Sequence, residues 1–152
     1  MKDWGRYKQS LEYDTMLYEL SIKKYGEGDE RVADAARQLA RTHYLSGRYK
    51  IAIGFYSQSL TIRKVLFGDE HPQTAIALNC VGMANKVLGN FEEGIKFCKQ
   101  AYEVKLALYG KVHSDTAVTI DNLASLYHLD GQYEKAMVSA ERLRFLHFST
   151  KD

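Results

Sequence analysis

The sequence predicts an all-α protein built of antiparallel helix pairs repeated along the chain, and two interlocked glycine series together with the apolar spacing between them carry that prediction. Gly5, Gly47, Gly89 and Gly131 stand 42 residues apart, and an aromatic follows two positions after each, at Tyr7, Tyr49, Phe91 and Tyr133. Gly26, Gly68 and Gly110 keep the same 42-residue interval, with Tyr25, Phe67 and Tyr109 before them and Ala33, Ala75 and Ala117 seven residues after them. Between these marks the apolar residues recur at helical spacing. Ala36, Leu39, Ala40 and His43 align with Leu78, Val81, Gly82 and Asn85, then with Ile120, Leu123, Ala124 and Tyr127. Two glycine marks per period leave two helices per unit, and a fixed period of this size is the signature of stacked repeats.

In chain order, the first helix is expected at about 6–25 and reads as the second member of a pair, because nothing before Gly5 could form its partner. The others follow at about 30–46, 49–67, 72–88, 91–109, 114–130 and 133–148, giving seven helices and no strand. At each boundary a glycine supplies the positive φ or close approach that a helix end needs, and the aromatic beside it can fold back over the last turn. These glycines stand too far apart to cradle a phosphate, which takes several within a few residues.

The stretch Gly68-Asp69-Glu70-His71-Pro72 sets two carboxylates and an imidazole beside the chain's one proline. Such residues can move protons or hold a metal. Its counterparts decide against that: GDEHPQTA at Gly68 aligns with GEGDERVA at Gly26 and GKVHSDTA at Gly110, and the chemistry does not repeat. His71 corresponds to His113 but also to Asp29, while Pro72 corresponds to Ser114 and Glu30. Proline suits a first helical turn, Asp and Ser can cap its free amides, and acids favour the positive end of the helix dipole. The stretch is therefore expected to be an inter-helix corner.

Composition narrows the function. A chain of 152 residues, 45% hydrophobic and 26% charged, matches a soluble globular protein that buries ~70% of its unfolded surface. Its formal charge of +2 is too near neutral for a general phosphate-binding surface, so nucleic acid is not expected. Cys80 and Cys98 fit neither a disulfide framework nor a CxxC pair and read as reduced thiols, which points to the cytosol. The opening MKDWGRYKQSLEYD has no apolar run long enough for a signal peptide, and no segment approaches the ~20 apolar residues that span a bilayer. No Ser, Cys or His has an identifiable base at a meaningful spacing, so neither catalysis nor a metal or cofactor is expected.

The pieces FGDEHPQTAIALNCVG and YGKVHSDTAVTIDNLASLYHLDGQYEKA resemble the kinesin light chain type of tetratricopeptide repeat, whose units read roughly LGxxHPxTAxxLNNLAxLYxxxGxYxEA. The third repeat matches best, through Asn122-Leu123-Ala124, Leu126-Tyr127 and Gly131-Gln132-Tyr133, whereas the first has Arg37-Gln38 in place of the paired asparagines. The resemblance covers residues 1–152 as one array, an orphan helix at about 6–25 followed by repeats at about 30–67, 72–109 and 114–148. It implies a right-handed superhelical α-α solenoid in which each unit touches only its neighbours.

In similar proteins the first helix of each pair lines a concave groove, at positions three before and one after a small residue. Here the small residues are Ala40, Gly82 and Ala124, which gives Arg37 and Arg41, Asn79 and Met83, and Asp121 and Ser125. Tyr44, Lys86 and His128 lie one turn further, and Asn122 joins them as a retained asparagine of the family's pair. The resemblance thus implies a non-catalytic module that binds an extended or helical segment of a protein or peptide partner. Arginine's planar fork suits carboxylates, and an Asn side chain can bond a peptide backbone through donor and acceptor together. Arg37, Arg41, Asn79 and Lys86 are accordingly expected to receive an acidic segment, with Tyr44 and Met83 in apolar contact. Asp121 interrupts the basic character.

The tyrosines at 7, 13, 18, 49, 56, 102 and 133 are spaced for packing between helices, and Trp4 is expected to pack at the array's end. The last helix carries Leu143, Phe145, Leu146 and Phe148 with no polar capping helix after it. Bare ends fit either a piece of a longer array or self-association into a homo-oligomeric scaffold.

Overall fold

The structure, a computed structural model, describes residues 4–149, with side chains through residue 145. Among these residues there are seven α-helices and no strand: α1 Trp4–Tyr25, α2 Glu30–Leu45, α3 Tyr49–Phe67, α4 Pro72–Leu88, α5 Phe91–Tyr109, α6 Ser114–Leu129 and α7 Tyr133–Ser149. The expected boundaries hold to within two residues. One expectation fails at Gly5, which lies inside the first turn of α1 instead of in a turn before it.

The chain divides into two compact units, residues 1–68 and 69–152. In the first, α2 packs against α1 on one side and α3 on the other; in the second, α4 packs on α5, α5 on α6 and α6 on α7. The first core sets Val32, Ala33 and Ile62 against Tyr18 and Ile22 of α1. The second joins Ile95, Cys98, Leu123, Leu126 and Tyr127, with Phe91, Tyr102 and Ala136 against them. Each buried Leu, Ile or Val contributes about 1.5–3 kcal/mol of transfer free energy. The units therefore rest on apolar burial between neighbouring helices.

The corners are built as the repeat demands. Gly68 and Gly110 end α3 and α5 at φ 82°, ψ −179° and φ 79°, ψ 178°, a backbone region open essentially to glycine alone. Each corner then starts the next helix with a side-chain cap. Asp29 Oδ1 accepts from the Arg31 N–H at 2.9 Å, His71 Nδ1 from the Gln73 N–H at 3.1 Å, and His113 Nδ1 from the Asp115 N–H at 3.1 Å. Arg31 adds two hydrogen bonds of its own to Asp29, at 2.8 and 3.0 Å, and holds that carboxyl at a pKa of about 2. His71 is thus a helix cap, in the same place as an aspartate and a second histidine. Replacing His71 with Ala is expected to cost the second unit about 1 kcal/mol by freeing the Gln73 N–H, with no change in peptide binding. Urea denaturation and a binding titration check this; lost binding in a folded variant would return the GDEHP stretch to the list of sites.

Burial sorts the aromatics. Tyr56 is buried and Tyr7, Tyr18, Tyr49 and Tyr102 are half-buried, as packing positions should be. Tyr13 and Tyr133 depart from that expectation at 67% and 61% exposed, because their spacing sets them on the outward faces of α1 and α7, which no other described helix covers. Trp4 is also exposed, its ring lying under the Arg48 guanidinium at 4.7 Å. Phe145 is exposed, Leu143 is half-buried, and the side chains of Leu146 and Phe148 lie outside the described residues.

Candidate functional site

The first helices of the pairs, α2, α4 and α6, carry the expected binding residues, and each unit presents its own share. On α2, the buried stripe Val32, Ala35, Ala36, Leu39 and Ala40 fixes the rotation of the helix, which leaves Arg37 and Arg41 exposed on one face. Neither arginine makes an ion pair or hydrogen bond among the described residues. Arg31 and Arg63 differ, since each is engaged by an aspartate. Tyr44 is half-buried, meeting Tyr49 edge-on at 5.3 Å, and burial followed by the nearby Tyr49 raises its phenol pKa. It offers a ring edge more readily than a charge.

Arg41 also lines an open cleft of about 770 Å³ between α1 and α2, opposite Arg6, Tyr7 and Tyr13. Behind it Asp14 is only 4% exposed, and its Oδ2 accepts the Thr42 hydroxyl at 2.6 Å. Sequence reading passed over Asp14. Its one signal was its place on the inward stripe Tyr7, Leu11, Asp14, Tyr18, where an acid is out of character.

In the second unit, α4 and α6 are joined by the Asn122 amide, which donates to Asn79 Oδ1 at 3.0 Å. The Cys98 thiol lies 4.0 Å from the same oxygen. This changes the role expected of Asn79: its acceptor is already engaged between helices, and its NH2 remains for a ligand. Lys86, Met83 and Ser125 are half-buried, while Asp121 and His128 are exposed, His128 meeting Tyr133 edge-on at 5.4 Å. Cys98 is fully buried and its thiol is pushed up to about 11 by burial, which Lys86 and Lys105 only partly oppose. Neither Cys80 nor Cys98 forms a disulfide among the described residues.

Among the described residues no cluster of three His, Cys, Asp or Glu side chains could hold a metal ion. No described helix is long and apolar enough to cross a membrane.

The tetratricopeptide repeat family matches residues 5–64 and 73–143 of the sequence. No curated protein matches it. Among solved structures, BtubC (BKLC) from P. vanneervenii superposes with a TM-score of 0.88 at 20% identity, over 97% of this chain and 59% of that one. The chain thus spans 59% of the length of BtubC. A Podosopora anserina protein described as a kinesin light chain, with nearly identical TPR-like repeats, superposes with a TM-score of 0.60 at 15% identity, over 96% of this chain and 89% of that one. A variant of that protein gives 0.61 at 15% identity, over 97% and 89%. At these identities the likeness shows the fold alone, an all-helical repeat solenoid.

Proposed function

This chain belongs to the tetratricopeptide repeat family, whose repeats generally serve protein–protein interaction, and from that premise we propose that it is a non-catalytic module binding an acidic peptide segment, extended or helical, on its first-helix faces. The observation that carries the reading is the pair Arg37 and Arg41, exposed one turn apart on α2 with no acidic partner among the described residues. An unpaired guanidinium presents a planar donor fork that a carboxylate satisfies in two bonds. In the second unit the proposed contacts are the Asn79 NH2, Lys86 and Met83 on α4, with Asp121, Asn122, Ser125 and His128 on α6. The partner is a protein or peptide, and the cytosol is the compartment its thiols suit.

Selection of a random peptide library tests the reading. Peptides enriched by the wild-type chain are expected to carry clustered Asp or Glu, and Arg37→Glu with Arg41→Glu is expected to weaken them about tenfold or more, as loss of charge-assisted bonds should. Equal binding by the folded double variant would remove α2 from the site. The second reading, a homo-oligomeric scaffold, draws on the exposed stripe Tyr13, Met16, Leu17 and Leu20 along α1. It requires a mass that rises with concentration in sedimentation, and a constant monomer mass would dismiss it.

A further inference from the structure

His43 sits near the end of α2, where that helix meets both α1 and α3. Its ring lies flat on Phe55 of α3, centroids 5.7 Å apart and planes 4° from parallel, and Phe55 meets Tyr18 of α1 edge-on at 5.4 Å. Three helices therefore meet in one ring cluster, with Phe55 between His43 and Tyr18. Its Nδ1 is buried with no hydrogen-bond partner.

The ring's charged surroundings come from two sides. On α1 the buried Asp14 faces it, with Oδ2 committed to the Thr42 hydroxyl, and Lys8, Glu12 and Glu19 share with His43 a cleft of about 790 Å³. From the turn after α2 comes Arg48. The contact from α3 is the uncharged Phe55.

With its one proton on Nε2, which spares the buried Nδ1 an unpaired donor, the neutral ring leaves at Nδ1 only a lone pair. Protonation places an N–H there, buried and without an acceptor, on a ring now charged beside a guanidinium; an unpaired buried donor is costly. The equivalent positions of the other repeats are Asn85 and Tyr127, neither of them an imidazole. His43 is also the one histidine of residues 1–68.

We propose that His43 is a pH-sensitive latch on α1: as the neutral ring it seals α1 to α2 and α3, and as the imidazolium it loosens α1. Burial first, then Arg48, hold the imidazole pKa below its ordinary 6.5, with Asp14 opposing them. Well above pH 6.5 both the docked and the released states hold a neutral ring, and docking is independent of pH. As pH falls below that value the released state takes up a proton that the docked state resists. The docked state then loses ground until the pH passes the lowered pKa, below which the loss is complete. Because α1 forms one wall of the cleft beside Arg41, acid would alter that side of the binding face. The latch itself concerns only the docking of α1 and does not depend on the peptide reading.

Amide exchange by NMR at pH 7.5 and pH 5.0, corrected for intrinsic rates, tests the latch on the full chain. In the wild type, protection of α1 amides is expected to fall about tenfold more than that of α5, the effect of one buried unpaired donor. In His43→Tyr, which adopts the third repeat's own residue, that selective fall should vanish. Full protection of α1 in the acidified wild type, or an equal fall in His43→Tyr, overturns the proposal. If His43→Tyr does not fold, the wild-type His43 ring resonances are titrated instead. Amide shifts along α1 must then share their midpoint, and a separate midpoint overturns the latch.

Discussion

Gly82→Val is expected to destabilise the second unit by about 3 kcal/mol, the upper end of what overpacking a filled core costs. Gly82 lies where α4 and α5 cross: a Cβ there would stand 2.5 Å from Cys98 Sγ and 3.1 Å from the Gly94 carbonyl oxygen. The approach is reciprocal, since a Cβ on Gly94 would stand 3.1 Å from the Gly82 oxygen and 2.8 Å from Leu126 Cδ2. A thiol on a short stem and a helix backbone have little room to yield, so the helices themselves must part. Alanine should cost less, because its better helix preference returns about 1 kcal/mol. Chemical denaturation of the two variants measures both losses. The crowding has an internal control: adding Cys98→Ala to Gly82→Val should recover part of the loss, since it removes the nearest atom. A Gly82→Val protein as stable as the wild type would mean that α4 and α5 do not approach this closely.

The second large effect is expected at Asp34. Arg63 is only 1% exposed on α3, and its Nη2 donates to Asp34 Oδ1 at 2.5 Å, with Ser59 Oγ 3.4 Å from its Nε. Removing one member of a buried pair costs about 3–5 kcal/mol, but the Asp34 side chain is 55% exposed and water screens the bond. Asp34→Ala is therefore expected to cost the first unit about 2 kcal/mol. A second substitution, Arg63→Met, should restore part of that loss by removing a buried charge that has lost its carboxylate while filling the space. Asp34→Ala within about 0.5 kcal/mol of wild type, the range of ordinary surface substitutions, would show that Arg63 is satisfied without the carboxylate.

These two sites mark what the sequence does and does not disclose. All seven helices were legible because Gly26, Gly47, Gly68, Gly89, Gly110 and Gly131 sit at their ends, each with positive φ. Backbone geometry forces that choice of residue, so it leaves a visible trace. The histidine caps were legible as corners because Asp29, His71 and His113 share a register, although Nδ1 becomes the acceptor only once the helix start aims the Gln73 or Asp115 N–H at it. Gly82 was legible as a small residue in a repeated position, but the atoms it admits, Cys98 Sγ and the Gly94 oxygen, belong to another helix and carry no local signal. The same holds for Arg63 and Asp14: a charged residue on an inward stripe reads as an exception until its partner, far along the chain, is brought beside it. On the candidate site, Arg37 and Arg41 were singled out by the family resemblance, which counts from the small residue Ala40, and both are exposed on α2. The Asn122 to Asn79 bond was not legible, because it is a meeting of two helices 43 residues apart in sequence.

The proposal that α2 receives an acidic segment is met most directly by NMR shift mapping with a peptide taken from the library selection. Binding is expected to perturb the Arg37 and Arg41 side-chain Nε resonances and the amides of residues 37–45, and to weaken steeply with salt, as charge-assisted contact requires. Perturbations confined to α3, α5 or α7, with both arginine resonances unmoved, would contradict the account and place recognition on the second helices.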